Sequence, residues 1–198
     1  MGLAVFLLPK GDLKAELAHW KETVNNSLPD QPYTAHPPHM TLINVDVMDE
    51  EDGVAAVSAF SSAVDPFQIS VNKKDVFWND DATGGHTLFF GIEKNVALYT
   101  LQQSLADALL SVKINLPLPN YLTSNKQLLE SYDKYGFPFV GEHWIPHFSV
   151  SSLRTEKTHS IIEDFLSTTE KYNFTANQLS IWRVEGDEHT ILETVYFQ

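Results

Sequence analysis

The chain has 198 residues, with 13 Lys+Arg against 26 Asp+Glu for a formal charge of −13, and it holds 8 His and no Cys. The length suits one domain or two small lobes sharing a core, and a hydrophobic fraction of 43% is too high for a disordered chain. The missing cysteine excludes disulfides, thiolate metal sites, Fe–S clusters and a thiol nucleophile, while the acidic balance opposes binding along extended nucleic-acid phosphates.

No apolar run reaches the ~20 residues that a membrane span needs. The chain reads as a soluble cytoplasmic protein with no membrane partner, and its apolar Gly2–Leu8 as an opening strand. That strand, Leu3–Leu8, is closed by Pro9–Lys10–Gly11. Asp12 is placed to cap a helix over Leu13–Asn25, with Leu13, Leu17, Trp20 and Val24 on one face. A proline-rich segment follows, from Asn25 to Pro38. His39–Val47 reads as a strand, Asp49–Val64 as a helix with an acidic first turn, and Phe67–Trp78 and His86–Glu93 as paired strands. Val96–Ile114 carries a long apolar stripe and is expected to be the longest helix. The irregular stretch Asn115–Glu142 has room for a short helix at Lys126–Tyr132. A connection of that length is usually functional or mobile. His147–Leu153 reads as a strand, Thr155–Thr168 as a helix, and Tyr172–Val184 with His189–Phe197 as a hairpin around Glu185–Gly186–Asp187.

The second half of this order repeats the first. Pro38-His39-Met40-Thr41-Leu42 matches Pro146-His147-Phe148-Ser149-Val150 as proline, histidine, apolar, hydroxyl, apolar. Each motif leads into a strand, a helix and a hairpin. The expected fold class is therefore α+β. It has two lobes related by a pseudo-twofold axis, each an antiparallel sheet with outer helices, around a central cleft. Residues 1–198 form a single bilobal domain, with repeat units at about 39–93 and 147–198.

Strand alternation puts His39 and Thr41 on one face and His147 and Ser149 on one face, with Met40, Leu42, Phe148 and Val150 turned into the lobes. The cleft then receives two imidazoles and two hydroxyls. Imidazole, with an ordinary pKa of ~6.5, can work as base or acid near neutral pH. One neutral and one protonated ring on either side of a phosphate form a base–acid pair, with hydroxyls to bind the non-bridging oxygens.

These paired motifs resemble those of the 2H phosphoesterase superfamily, which includes bacterial LigT-like "2′-5′ RNA ligase" proteins and cyclic phosphodiesterases. His143-Trp144-Ile145-Pro146-His147-Phe148-Ser149-Val150 is similar to the second motif of LigT-like members and of related viral 2′,5′-phosphodiesterases. The resemblance covers nearly the whole chain. It implies His39 and His147 as the catalytic pair and Thr41 and Ser149 as phosphate ligands; an acid–base pair of this kind needs no cofactor or metal. The implied activity is a phosphodiesterase, or an RNA ligase in the reverse direction, on a 2′,3′-cyclic phosphate or a 2′,5′ linkage. The partner is a small nucleotide or RNA end, met by a monomer. Ser149 stands where Thr is commoner. The opening strand lacks a basic residue often found there, and Asn115–Glu142 is long for the family.

Other residues have competing readings. Pro37, Pro38 and Pro146 deny His36 and His143 the helical spacing of a metal chelate with the motif histidines. His86 and His189 read as surface turn residues, and Trp78 and Trp182 as core. Tyr33 and Trp144 precede the motifs and are candidates for the cleft rim, as substrate-binding aromatics. Tyr132, Tyr135, Phe137 and Phe139 suit either a lid or packing. Arg154 falls on the face away from His147. The competing function is a non-catalytic module that binds a nucleotide or RNA end in the same cleft.

Overall fold

Caps set the start of most helices. The computed structural model describes residues 2–123, 125–168, 170–186 and 188–198. Asp187, part of the expected final turn, lies outside them. The chain runs β1 (Gly2–Leu7), α1 (Gly11–Ser27), β2 (Met40–Val47), α2 (Glu50–Ser61), β3 (Phe67–Asp80), β4 (Gly85–Ile92), α3 (Val96–Ala108), β5 (Lys113–Ile114), α4 (Lys126–Tyr135), β6 (His147–Leu153), α5 (Ser160–Ser167), β7 (Tyr172–Ala176), β8 (Gln178–Glu185) and β9 (Glu188–Tyr196). The Asp49 carboxylate accepts from Glu51 N and Asp52 N at the head of α2, and Asn95 and Asn125 cap α3 and α4 in the same way. Asp12 does not cap α1. The helix starts earlier, at Gly11, and Asp12 lies inside its first turn, where a negative charge suits the dipole.

Two expected elements differ in extent. The long helix stops at Ala108, and beyond its capping residue Leu109 the chain turns back to pair Lys113–Ile114 with Val47 and Asp46 of β2. At 17 residues α1 is therefore longer than α3 at 13. The expected Tyr172–Val184 strand is two strands, broken at Asn177. Its first part pairs with β3 and its second with β1 and β9. The backbone carbonyl of Asn177 accepts from Phe197 N, and its side chain accepts from Lys10 Nζ, which anchors the point of crossing.

The strands form two antiparallel sheets, ordered β5-β2-β1-β8-β9 and β6-β4-β3-β7. This is the expected α+β architecture with one motif strand per sheet. The run β2-β1-β8 answers β6-β4-β3, with β9 and β7 outside them. Sequence continuity and sheet membership do not coincide. The hairpin β3–β4, which follows His39 in sequence, lies in the sheet of His147. The strands β8 and β9, which follow His147, lie in the sheet of β2. Helices α1 and α5 pack on the β6 sheet, and α2 and α3 on the β2 sheet. So β1-α1-β2-α2 corresponds to β4-α3-β6-α5, and strand exchange ties the halves together. Each sheet buries apolar side chains against its helices: Leu3, Leu42, Val57 and Leu105 on one side, Leu17, Phe90, Phe148 and Phe165 on the other.

Candidate active site

Both motif strands carry the same irregularity. Val5 and Phe6 of β1 pair with Ile43 and Thr41, so Leu42 is an extra residue in β2. Leu88 and Phe89 of β4 pair with Ser151 and Ser149, so Val150 is an extra residue in β6. A bulge of this kind breaks the alternation and re-aims the side chains beside it. Leu42 and Ile43 are consecutive yet both fully buried, as are Val150 and Ser151. Thr41 and Ser149, just before the bulges, remain half-buried beside their histidines. Met40, Leu42, Phe148 and Val150 are turned into the core as expected. The strands β2 and β6 also pack against each other where the sheets meet. Each hydroxyl sits across from a phenylalanine, Phe6 or Phe89.

The histidines are held alike. His39 Nδ1 lies 2.7 Å from the Pro37 carbonyl, and His147 Nδ1 lies 2.6 Å from the Ile145 carbonyl. A carbonyl only accepts, so Nδ1 carries the proton and Nε2 is left for substrate. Phe6 stacks on His39 at 4.0 Å between ring centroids, and Phe77 and Phe89 meet His147 edge-on at 5.0 and 5.3 Å. Burial lowers the His39 pKa to about 4. The bond to Pro37 opposes that shift, while Lys21, His189 and His36 add to it. Burial also lowers His147, opposed by its bond to Ile145 and by the Asp80 carboxylate. Burial thus biases both rings toward the neutral form.

Two polar residues passed over in the sequence hold the bulges. Lys21 of α1 donates from Nζ to the Val150 carbonyl at 2.8 Å and to the Tyr33 carbonyl at 2.5 Å. Gln102 of α3 donates from Nε2 to the Leu42 and Phe139 carbonyls, each at 3.0 Å, and its Oε1 accepts from Gly141 N at 3.0 Å. A signal existed. Each interrupts an apolar helix stripe at the same place, four residues after a leucine and three before the next apolar residue: Leu17-Lys21-Val24 and Leu98-Gln102-Leu105.

The remaining candidates divide. Tyr33 is half-buried with φ at +68°, its ring 5.6 Å from His36. Its hydroxyl pKa is pushed up first by burial and then by Asp80 and Tyr121. Trp144 is not at the rim. It is 4% exposed, packs edge-on against Tyr99, and donates from Nε1 to the Thr41 carbonyl at 3.1 Å. An indole N–H needs a buried acceptor, and here it braces the first motif strand from the second motif's loop.

His189 is not a surface turn residue either. Its ring lies 4.3 Å from that of His36, 6.1 Å from His39 and 6.4 Å from Phe6, because strand exchange brings β9 into the sheet of β2. His86 is buried, its Nδ1 accepting from Asn79 N at 3.0 Å. Trp182 is core as expected, but Trp78 is 43% exposed on the outer end of β3, beside His86 and Lys157. Phe137 and Phe139 pack on the core, and the Tyr135 hydroxyl binds Gln103. Both arginines are engaged elsewhere. Arg154 donates to the Thr83 carbonyl, and Arg183 makes a two-pronged pair with Glu50. Among the described residues no cluster of three or more His, Asp or Glu is placed to hold a metal ion, and no helix is long and apolar enough to cross a membrane.

Comparison with known proteins agrees with this fold. The family described as the 2′-5′ RNA ligase superfamily matches residues 9–188. The protein TT0787 of Thermus thermophilus superposes with a TM-score of 0.67 at 15% identity, over 100% of this chain and 98% of that one. A structure described as a phosphoesterase gives 0.58 at 11% identity, over 99% and 97%. E. coli LigT complexed with 3′-AMP gives 0.56 at 12% identity, over 99% and 97%. No curated protein matches the chain.

Proposed function

The chain belongs to the 2′-5′ RNA ligase superfamily, and on that premise we propose that it is a metal-independent phosphodiesterase acting on a 2′,3′-cyclic phosphate or 2′,5′-linked substrate. His39 and His147 form the acid–base pair, and Thr41 and Ser149 donate to the non-bridging phosphate oxygens. One observation carries this reading. Two histidines, His39 immediately before β2 and His147 at the start of β6, are fixed by the same Nδ1 bond to a carbonyl two residues upstream, each beside a bulge-flanked hydroxyl. A neutral Nε2 takes the proton of the attacking water or hydroxyl, and a protonated Nε2 gives one to the leaving oxygen. Each transfer is worth about 10²–10⁴-fold. The bound phosphate brings the charge that stabilises an imidazolium, so substrate binding supplies the one proton the apolar walls resist.

The E. coli LigT fold was solved with 3′-AMP, which supports a nucleotide-sized ligand for a cleft of this kind. With a charge of −13 the protein meets a small nucleotide or an RNA end rather than an extended strand. The test is turnover of a 2′,3′-cyclic nucleotide, 2′,5′- and 3′,5′-dinucleotides and ADP-ribose cyclic phosphate, with and without EDTA. Activity insensitive to EDTA that falls about 10²–10⁴-fold in His39→Ala and in His147→Ala supports the mechanism. Binding without turnover of any member, or activity retained in His147→Ala, overturns it.

A further inference from the structure

An open cavity of about 560 Å³ lies at the end of β6, against the turn between β3 and β4, and is lined by Gly84, His86, Arg154, Thr155 and Glu156 among others. That volume is within the range of small-molecule sites. The local sequence accounts for it. The turn lies close on β6, where the Thr83 and Ser152 hydroxyls are 2.5 Å apart, and a Cβ at Gly85 would meet Ser152 Oγ at 2.7 Å and the Leu153 carbonyl at 2.9 Å. Gly84, with φ at +71°, has open space where a Cβ would stand. His147 begins β6 and Leu153 ends it, so at ~3.3 Å per residue the cavity is about 20 Å from the motif histidine.

His86 is only 7% exposed, and its Nδ1 accepts from Asn79 N at 3.0 Å. A ring nitrogen that accepts a backbone N–H carries no proton, so the proton of the ring is on Nε2. Among the described residues Nε2 donates to no protein atom, and no fully enclosed side-chain nitrogen or oxygen lacks a partner. This donor is therefore reached from outside, on a ring that lines the cavity. Arg154 is exposed and gives one bond, to the Thr83 carbonyl at 3.3 Å. Among the described residues it pairs with no carboxylate, which leaves further guanidinium donors for a ligand. Beside His86, at 5.2 Å between ring centroids, is Trp78, with Lys157 Nζ 5.7 Å from the indole centre. Trp20, Trp144 and Trp182 are buried, whereas Trp78 is in water. The negative groups of this corner are Glu156, on the cavity wall, and Asp81 in the turn. Asp80 is already bonded to Thr87 Oγ1 and Ala82 N.

We propose that this corner is a nucleotide-binding site separate from the two-histidine cleft, in which a nucleobase stacks on Trp78 and its phosphate accepts from His86 Nε2 and Arg154. A bare anion would use the two donors and leave the indole in water, and an uncharged ring would do the reverse. A nucleotide uses both, because every base has a π-face and every phosphate takes charge-assisted bonds. Glu156 opposes a bare anion but can accept from a ribose hydroxyl. The nucleotide is either free or one unit of an RNA chain whose end lies in the cleft. The separation of about 20 Å keeps a single nucleotide from touching both places, and a chain of about four nucleotides spans it, the small end of single-strand sites. None of these residues has a part in the acid–base mechanism, so the proposal stands apart from the phosphodiesterase reading.

The experiment is a tryptophan fluorescence titration of the full chain with adenosine 5′-monophosphate, adenosine and a five-nucleotide oligoadenylate. Stacking on Trp78 quenches its emission, so saturable quenching by the monophosphate is expected in the wild type and is expected to vanish in Trp78→Phe. Trp78→Ala should weaken binding of the monophosphate about 10-fold or more, read by calorimetry. Arg154→Ala should weaken the monophosphate about 10-fold and adenosine far less. Both side chains are exposed, so neither change removes a core contact. Quenching that persists in Trp78→Phe overturns the proposal, and so does a monophosphate affinity that Arg154→Ala leaves unaltered. Amide NMR shifts locate the ligand independently: Gly84, Gly85 and Thr155 must move with the monophosphate, and unmoved signals there are a refutation.

The oligoadenylate separates the two sources. An affinity about 10-fold above that of the monophosphate, lost in Arg154→Ala and also in His147→Ala, assigns the site to an RNA chain held at two points. Equal affinities assign it to a free nucleotide. Either result supports the site, while binding of neither compound at this corner overturns it. Turnover of the substrate panel decides the phosphodiesterase reading separately.

Discussion

Replacing Gln102 by leucine tests how firmly the site is held. The side chain is fully buried and makes three hydrogen bonds of 3.0 Å, to Leu42 O, Phe139 O and Gly141 N. Leucine fills nearly the same volume, so the change removes bonds rather than packing. Each backbone group left unpaired in the interior costs about 1–3 kcal/mol. The Phe139 and Gly141 groups belong to a loop that can turn toward water, but the Leu42 carbonyl is enclosed between α3 and β2. The expected loss is therefore about 3–5 kcal/mol, a large part of the ~5–15 kcal/mol that domains possess. In urea this appears as a lower midpoint with an unchanged slope. Gln102→Glu sharpens the test, because it faces two carbonyl oxygens with a carboxylate. That variant should be less stable than Gln102→Leu at neutral pH and should recover on acidification as it becomes a donor. A loss below about 1 kcal/mol in Gln102→Leu would mean that the three groups already find other partners, and the account of the bulge cradle would be wrong.

Two other outcomes follow from the same contacts. The His39 pKa of about 4 lies below that of a free imidazole, ~6.5, so its neutral burial stabilises the fold fully above pH 6.5, and that contribution is lost as pH falls toward 4. His39→Phe should flatten the fall of the urea midpoint between pH 7 and pH 5, and an equally steep fall in the variant would refute the assignment. Trp144→Phe keeps the ring contact with Tyr99 and deletes the bond to the Thr41 carbonyl. It should cost about 1 kcal/mol in stability and leave KM near the wild-type value, whereas a raised KM would return Trp144 to the rim of the cleft.

The sequence made the two motif strands legible because proline, histidine and a hydroxyl recur in register with apolar neighbours, and strand periodicity assigns faces without tertiary information. The bulges at Leu42 and Val150 lay outside that reading. A bulge depends on pairing with β1 and β4, and no local signal states which strands will pair. The same limit explains His189. It follows a turn in sequence and looks solvated, yet β9 joins the sheet of β2 through an exchange visible only in the topology. Trp144 shows the converse. Proximity to a motif suggested the cleft, but an indole N–H ahead of a strand is as well suited to bracing it. The helical positions of Lys21 and Gln102 were legible in principle, since a polar residue inside an apolar stripe requires a buried partner. Identifying the partner required the fold.

Strand exchange also gives the site its integrity. Lys21 precedes β2 in the chain but holds β6, and Gln102 precedes β6 but holds β2. The loop ahead of β2 lies along β6 in the same manner, with the Thr34 and Ser151 hydroxyls 2.6 Å apart and Ser152 N donating to the Pro32 carbonyl at 2.9 Å. Trp144, from the loop ahead of β6, donates to β2. Every one of these supports comes from the opposite half of the chain. A displacement of one histidine strand is therefore transmitted to the helix and loop that aim the other. On the proposed reading, a phosphate bound by the two imidazoles meets groups that one connected set of contacts holds in place. Acid–base catalysis by paired groups requires that positional constraint, because an acid or base misplaced by about 1 Å can cost on the order of 10²-fold in rate.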